Sequence, residues 1–566
     1  MPDLLVPRFS IKAPLRSLFL AWLVAGSAIA GLQPPGDAVA TAHPLATEAG
    51  VAVLNAGGNA FDAAVAVTAA LAVVEPYGSG IGGGGFWLLH RVRDGREVMI
   101  DGRERAPYAA SEDMYLDSQG EVIPKASIDG PLAAGIPGVP AALDHIARYY
   151  GRLPLGLTLG PAILLAREGF PVDDAYRRLA RFRLDALRAS PEASRQFLHR
   201  DEVPPLGHIV RQPELADTLE RIAGAGADGF YRGDLAYRMV RAVRAAGGIW
   251  TDRDLAEYRV VERQPIQTYY RGYRIVSASL PSSGGILIAQ MLRVLDALGY
   301  HRARGVDRTH LLVETMRRAY ADRARYLGDS DFVPVPVARL VSSTYAARQA
   351  AGIDRRRAMR SEDLDSQRPE GSDTTHFSIL DRDGNRVAAT LSINYPFGSG
   401  FVAGDTGVLL NDEMDDFSIK PGAANVYGLL GGGANAIAPG KRMLSSMSPT
   451  FVESAGRLVI LGTPGGSRII TMVLQGVLAA IEGADAEQLV TAPRIHHQHL
   501  PDRIDAEPGA LDPRTRSALE RRGHAVVEGE DRYGNMQVVI WDRRQDRVTA
   551  ASDPRGVGKA AVIQEQ

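Results

Sequence analysis

Between Thr374 and Asn394 the chain reads TTHFSILDRDGNRVAATLSIN. Two apolar-rich runs, HFSIL and RVAATLSI, flank the turn signal Asp383-Gly384, which is the pattern of a β-hairpin. This segment constrains the fold most, because it places two adjacent antiparallel strands in the interior of a long sequence. A pair of threonines stands at its entrance. β-Branched residues open strands readily, so taken alone the pair needs no further explanation. The stretch before it is less ordinary. From Ala351 to Asp373 the sequence AGIDRRRAMRSEDLDSQRPEGSD is charged, nearly free of large apolar residues and interrupted by Pro369 and Gly371. Such a segment is expected to be solvated and mobile. Its abrupt end at a strand has the profile of a proteolytic boundary.

Around the hairpin, helical and strand-like stretches alternate without an obvious linker, internal repeat or coiled coil. HPLATEAGVAVLNAGGNAFDAAVAVTAALAVVEP reads as a short helix, a glycine break and a longer apolar helix ended by Pro76. GSGIGGGGFWLLHRVRDGREVMIDGRERAP reads as a glycine loop, a strand, a turn and a strand. Residues 155–325 are mainly helical with two or three strands inserted, and the part after Thr374 is strand-rich. The 566 residues are 45% hydrophobic and 23% charged, a globular composition able to hold a large core. A net charge of -2 gives no argument for nucleic acid or an anionic membrane as partner. The absence of cysteine excludes disulfides, thiolate metal sites and a cysteine nucleophile.

The first thirty residues bear on compartment. Arg8, Lys12 and Arg16 precede the apolar run LFLAWLVAGSAIA, which ends in the small-x-small sequence Ala28-Ile29-Ala30. That is the layout of a signal peptide over residues 1–30. The alternative, a membrane anchor, meets a run shorter than the roughly 20 apolar residues a spanning helix needs. Export to the periplasm or medium is therefore expected. Cleavage removes three bases and one acid and leaves the mature chain at a net charge of -4. No other segment is expected to span a membrane.

Four motifs offer chemistry. GIGGGGF, Gly80 to Phe86, lacks the lysine and hydroxyl residue of a phosphate loop and is followed by a strand, so close backbone packing explains it better. RIHHQHL holds His496, His497 and His499. In a strand His497 and His499 would share a face and could bind a metal, but with no carboxylate at ligand spacing a hydrogen-bonding or surface role is preferred. SSM, Ser445 to Met447, and GTPGGSR, Gly462 to Arg468, offer hydroxyls and freely approached backbone N–H groups. These are the parts of a carboxylate clamp and an oxyanion hole, although both also serve as turns.

Taken together, the motifs form a set. TTHFSILDRDGNRVAATLSINYPFG, NDEMDDFSIKPGAANVYGL, ANAIAPGKRMLSSMSPT and TPGGSRIIT, with GGNAFDAAVA, GGGGF, DGRERAP and PSSGGI upstream, closely resemble the γ-glutamyltranspeptidase family in order and spacing, over nearly all of the mature chain. The resemblance implies an α+β fold, the N-terminal-nucleophile αββα sandwich. In it a precursor cuts itself into a large subunit, here residues 31–373, and a small one, 374–566, that stay intertwined as a heterodimer. It implies Thr374 as nucleophile, with its own freed α-amine as general base. Arg103, Ser445 and Ser446 would bind the α-carboxylate of a γ-glutamyl group. Asp416 would take its α-ammonium, helped by Asn394 and Glu413, and Gly465 and Gly466 would form the oxyanion hole. Tyr427 would touch substrate at the start of a lid that runs to Arg442. One position departs from the pattern: Ser392 stands where the family usually has a second threonine beside the nucleophile. The activity implied is γ-glutamyl transfer from glutathione and similar amides to water or amino acids, with no metal or organic cofactor. Two alternatives stay open: an acylase of glutaryl-cephalosporins or poly-γ-glutamate, and a non-catalytic exported paralogue.

Overall fold

The computed structural model describes residues 33–361, 374–420, 425–429 and 431–564. The expected signal peptide, residues 1–30, and the last twelve residues before Thr374 lie outside them. In chain order the strands of the two main sheets are β1 (Gly36–Thr41), β2 (Gly84–Arg91), β3 (Arg96–Gly102), β4 (Val261–Arg263), β5 (Ile266–Tyr270), β6 (Tyr273–Ser277), β7 (Thr375–Leu380), β8 (Arg386–Ser392), β9 (Thr450–Ser454), β10 (Arg457–Gly462), β11 (Gln537–Asp542), β12 (Arg547–Ser552) and β13 (Lys559–Gln564). A seven-stranded sheet runs β13-β1-β7-β8-β2-β3-β4 and a six-stranded sheet β12-β11-β10-β9-β6-β5. Every pairing within them is antiparallel.

The expected hairpin is β7–β8, in register from Thr375 opposite Leu391 to Leu380 opposite Arg386. Asp381 closes its turn by accepting the N–H groups of Asp383 and Asn385 at 3.0 and 2.9 Å. The same carboxylate accepts the Ala60 N–H at 2.9 Å, which ties the turn to the first residue of a helix. That helix, α2 (Ala60–Val74), follows α1 (Pro44–Asn55) and begins with a reciprocal Asn59/Asp62 capping box. It is apolar on all sides because it is buried on all sides.

Alternation along the strands sends one set of side chains between the sheets. Small residues of the first sheet, Ala38, Ala40 and Ala388, meet large ones of the second, Phe451, Leu458, Ile460 and Trp541. The outer face of the first sheet is covered by α2 and by helices of residues 139–256. That of the second is covered by α3 (Gly284–Ala297), α4 (Gly305–Tyr326) and α5 (Ile469–Ile481). The layers are therefore helix, sheet, sheet, helix, as the resemblance implied. Among the described residues no helix is long and apolar enough to cross a membrane.

The glycine run packs backbone against backbone, as expected. A Cβ on Gly82 would lie 2.0 Å from the Leu409 oxygen and one on Gly83 2.2 Å from the Ser392 oxygen. One expectation needs correction. The polar stretch that opens at Ala351 is exposed over most of residues 351–361, as expected, but it is tied down at Ile353, Ala358 and Ser361 rather than loose. Ile353 is buried, the Ala358 N–H donates to the Arg522 oxygen at 2.7 Å, and the Ser361 N–H donates to Asp502 at 2.7 Å. Backbone donors reaching distant acceptors anchor this stretch, which its scarcity of apolar side chains did not foretell.

Candidate active site

Thr374 directly precedes β7, and extending the hairpin register by one residue sets it opposite Ser392 at the end of β8. A pocket opens at this end of the sheet. It is lined by Thr374, Ser392 and Asn394 of the hairpin, by Arg103 just after β3, and by Glu413, Asp416, Tyr427, Ser445, Ser446 and Gly466. Ten of the eleven side chains and glycines singled out in the sequence thus meet in one place, and Gly465 is the direct neighbour of the tenth. The free space is about 20 Å3, room for roughly one water.

Arg103 is held from all sides. Its N–H donates to Asp101 at 3.0 Å, its carbonyl accepts Tyr258 Oη at 2.7 Å and its Nε donates to the Met443 oxygen at 3.2 Å. Its two terminal nitrogens pair with Glu413 and Asp416, each at 2.5 Å. Glu104 adds a third acid at 3.5 Å, fully buried and with neither oxygen hydrogen-bonded. Burial alone would lower the pKa of Arg103; the three acids outweigh it and raise it. One cation cannot compensate three carboxylates, two of them fully buried. Burial and the Glu413 charge therefore push Glu104 well above the usual carboxylate range. Burial pushes Glu413 up to about 7, against the pull of Arg103 and of the nearby Ser392 hydroxyl. The arginine expected to meet a substrate carboxylate and the acids expected to meet its ammonium are, without substrate, paired with each other.

The hairpin exit is built by a tight turn. Asn394 lies at a φ of 71°, a conformation asparagine tolerates better than most residues, and its N–H donates to Ser392 Oγ at 2.8 Å. Its amide donates to the Asp412 oxygen at 3.0 Å and its carbonyl accepts Tyr427 Oη at 2.7 Å. Tyr427 thereby lies across the pocket, its ring so close to Gly466 that a Cβ there would sit 2.5 Å from the ring. Gly465 and Gly466 take φ values of 141° and 54°, open to glycine and strained for other residues. Among the described residues neither N–H donates to a protein acceptor.

Some contributors left no mark in the sequence. Asn425 donates to Asp416 Oδ1 at 3.0 Å and Asn435 to the Asp416 carbonyl at 2.7 Å, fixing that acid. Arg323 approaches Ser446 from α4, a helix whose several arginines look alike in sequence. The histidine motif also departs from expectation. Only Ile495–His496 form a strand, so His497 and His499 share no strand face, and His497 does have a carboxylate nearby, Asp502, at 3.3 Å. His496 hydrogen-bonds Thr471 and Gln498, both at 2.8 Å, which is the preferred hydrogen-bonding role. A second grouping, His310, Glu314 and His524, brings its ligand atoms within 4.8 Å of one another. The histidines there bond each other at 2.8 Å, and Glu314 is paired with Arg317 and Arg318, charges that oppose a cation.

Comparisons with known proteins point to one family. The family model described as gamma-glutamyltranspeptidase matches residues 46–563. The glutathione hydrolase proenzyme of Pseudomonas sp. strain A14 is 43% identical over 543 residues, covering 91% of this chain and 92% of the relative. That of Escherichia coli K12 is 43% identical over 530 residues, covering 92% and 90%. Among solved structures, the cephalosporin acylase from Bacillus halodurans superimposes with a TM-score of 0.80 at 28% identity, over 94% of this chain and 96% of that one.

Proposed function

The chain belongs to the γ-glutamyltranspeptidase family, and on that premise we propose that Thr374 is its nucleophile, exposed as a new N-terminus when the precursor cuts the bond before it. The enzyme passes the γ-glutamyl group of glutathione and related amides to water or to amino acid and peptide acceptors. In the cut, Thr374 Oγ1 attacks the carbonyl carbon of Asp373. The C–N bond breaks as an ester forms, which frees the α-amine of Thr374, and water then opens that ester to release the Asp373 carboxylate and the Thr374 hydroxyl. Such an amine has an ordinary pKa near 7.7–8.0, which suits a general base close to neutral pH. In turnover it takes the hydroxyl proton while Oγ1 attacks the γ-carbonyl. The N–H groups of Gly465 and Gly466 stabilise the tetrahedral oxyanion. The leaving amine departs with the proton, and water or an acceptor amine opens the γ-glutamyl ester. No metal or organic cofactor is called for. Arg103, Ser445 and Ser446 take the α-carboxylate, and Asp416 with Glu413 and Asn394 takes the α-ammonium. Large and small subunits remain a heterodimer, and the leader over residues 1–30 supports export.

The observation that carries this reading is the convergence of Thr374, a buried arginine, two carboxylates and two serines on one pocket. The acylase likeness keeps a second reading in view, and chemistry separates the two. A glutaryl group is a γ-glutamyl group without its ammonium, so only the γ-glutamyl donor brings a cation of its own to Asp416 and Glu413. The test is anilide release from γ-glutamyl and glutaryl donors side by side, together with N-terminal sequencing of the smaller fragment. Preference for γ-glutamyl, a fragment beginning at Thr374, and an uncut, inactive T374A protein are expected. A different first residue, or an active T374A protein, would sink the assignment of Thr374.

A further inference from the structure

Arg323 is 4% exposed in the last turns of α4. Among the described residues no carboxylate lies within 4.0 Å of its nitrogens, and its protein partners are two hydroxyls: Nε donates to Ser283 Oγ at 3.1 Å and Nη2 to Ser446 Oγ at 3.3 Å. An ion buried without a counter-ion is costly, so such an arrangement calls for an anion to complete it. Burial pulls the guanidinium pKa down, and Asp416 is the acid that most opposes this. Arg103 is the opposite case, with three acids around one charge.

The hydroxyls show where the anion belongs. Ser283 gives its proton to the Ser445 carbonyl at 2.7 Å, so the Arg323 bond and this one fix it fully. Ser446 Oγ accepts from Arg323, and Ser445 Oγ accepts from the Met447 N–H at 3.1 Å. Among the described residues neither serine donates its own proton to protein. Both line the pocket. Two O–H donors with their inward lone pairs already engaged, one backed by an unpaired cation, make a site for an acceptor-only, negatively charged group.

We propose that Arg323 is a positioning residue for the carboxylate of the donor, orienting the Ser446 hydroxyl as a hydrogen-bond donor and supplying the charge that this carboxylate neutralises. The proposal rests on the reading of this pocket as a γ-glutamyl site, but its test can fail separately. Four anilides are compared: γ-glutamyl, glutaryl (carboxylate, no ammonium), 4-aminobutanoyl (ammonium, no carboxylate) and butanoyl. In R323Q the preference in kcat/KM for γ-glutamyl over 4-aminobutanoyl should fall at least about tenfold, as for a lost charge-assisted hydrogen bond. The preference for γ-glutamyl over glutaryl should stay within about twofold. A merely structural arginine would lower all rates together and leave both preferences in place, and that result overturns the proposal. R323K keeps the charge but cannot reach Ser283 and Ser446 at once, so an intermediate loss is expected. If R323Q stays uncut, R323K and S446A carry the test, and an unchanged carboxylate preference in both overturns it. A wild-type enzyme that prefers glutaryl would sink the γ-glutamyl reading alone. Arg323 would then be judged by glutaryl against butanoyl, with the same loss expected in R323Q and an unchanged preference overturning it.

Discussion

Ser392 shows how much one hydroxyl can settle. Its oxygen accepts the Asn394 N–H at 2.8 Å, its hydroxyl lies beside Glu413 in the pocket and helps to hold down the pKa of that acid, and the strand register sets it opposite Thr374. None of these tasks needs the methyl of a threonine. S392T should therefore fold and cut itself at least as fast as wild type, because β-branching narrows χ1 and holds the hydroxyl, a gain of a few tenths to about 1 kcal/mol. S392A should slow both cutting and turnover. Time courses of precursor loss decide it; a stalled threonine variant beside a normal alanine variant would mean that the methyl clashes and the hydroxyl is idle. At this scale the sequence was highly legible. Arg103, Asp416, Ser445 and Gly466 sit in short motifs whose chemistry is local. Arg323 and Asn425 were not legible, because an arginine in a polar helix and an asparagine in a loop become special only through what lies opposite them in space.

Elements carry information of a different kind. The β7–β8 hairpin, α2 and the glycine run could be read because period, cap and turn are local signals. The docking of residues 353–361, and the partner of the RIHHQHL segment, could not, since both depend on contacts remote in sequence. That segment turns out to hold the cover of the pocket. Gln498 donates its amide to the carbonyls of Tyr427 and Gly428 at 3.2 and 3.1 Å, and its oxygen pairs with His496 Nε2 at 2.8 Å. With both amide protons spent on carbonyls, the oxygen must accept, so His496 carries its proton on Nε2. Burial holds His496 down to about 3, so the ring stays neutral at working pH. Q498A should remove one hydrogen bond to each of the Tyr427 and Gly428 carbonyls while leaving the Tyr427 phenol bond to Asn394 in place. We expect kcat/KM to drop about threefold to tenfold, mostly through KM, from the loss of about 1 kcal/mol or slightly more of positioning. An unchanged KM would show that Gln498 does not hold the cover.

At the scale of the whole molecule, the proposed cut before Thr374 leaves two chains that cannot simply part. In the first sheet β7 and β8 are flanked by β1 and β2, and in the second β9 pairs with β6, so strands from either side of the cut are hydrogen-bonded to each other in both sheets. An ionic network crosses the same divide and the gap between the sheets. Arg274 bridges Glu97 and Glu453 at 2.6 and 2.7 Å, while Arg386 and Arg543 reach Glu453 at 2.8 and 2.7 Å. Glu97 and Arg274 precede Thr374; Arg386, Glu453 and Arg543 follow it. Burial would raise the pKa of Glu453, but the charge of Arg386 and hydrogen bonds from Arg543 and Arg274 outweigh it and hold it near 2, against an ordinary 4.5. A carboxylate depressed on folding contributes stability above its unfolded pKa and loses that contribution as pH falls through the folded value. E453Q should therefore cost about 1–3 kcal/mol at pH 7, less than the 3–5 of a fully buried broken pair. The two fragments of the cut enzyme should still elute together. The deficit should shrink as pH falls from about 4.5 toward 2, where wild type surrenders the same charge. Denaturant midpoints of both proteins between pH 7 and 3 test this. A deficit independent of pH would mean that Glu453 acts by packing and hydrogen bonding rather than by its charge, and that the network does not electrostatically join the two halves.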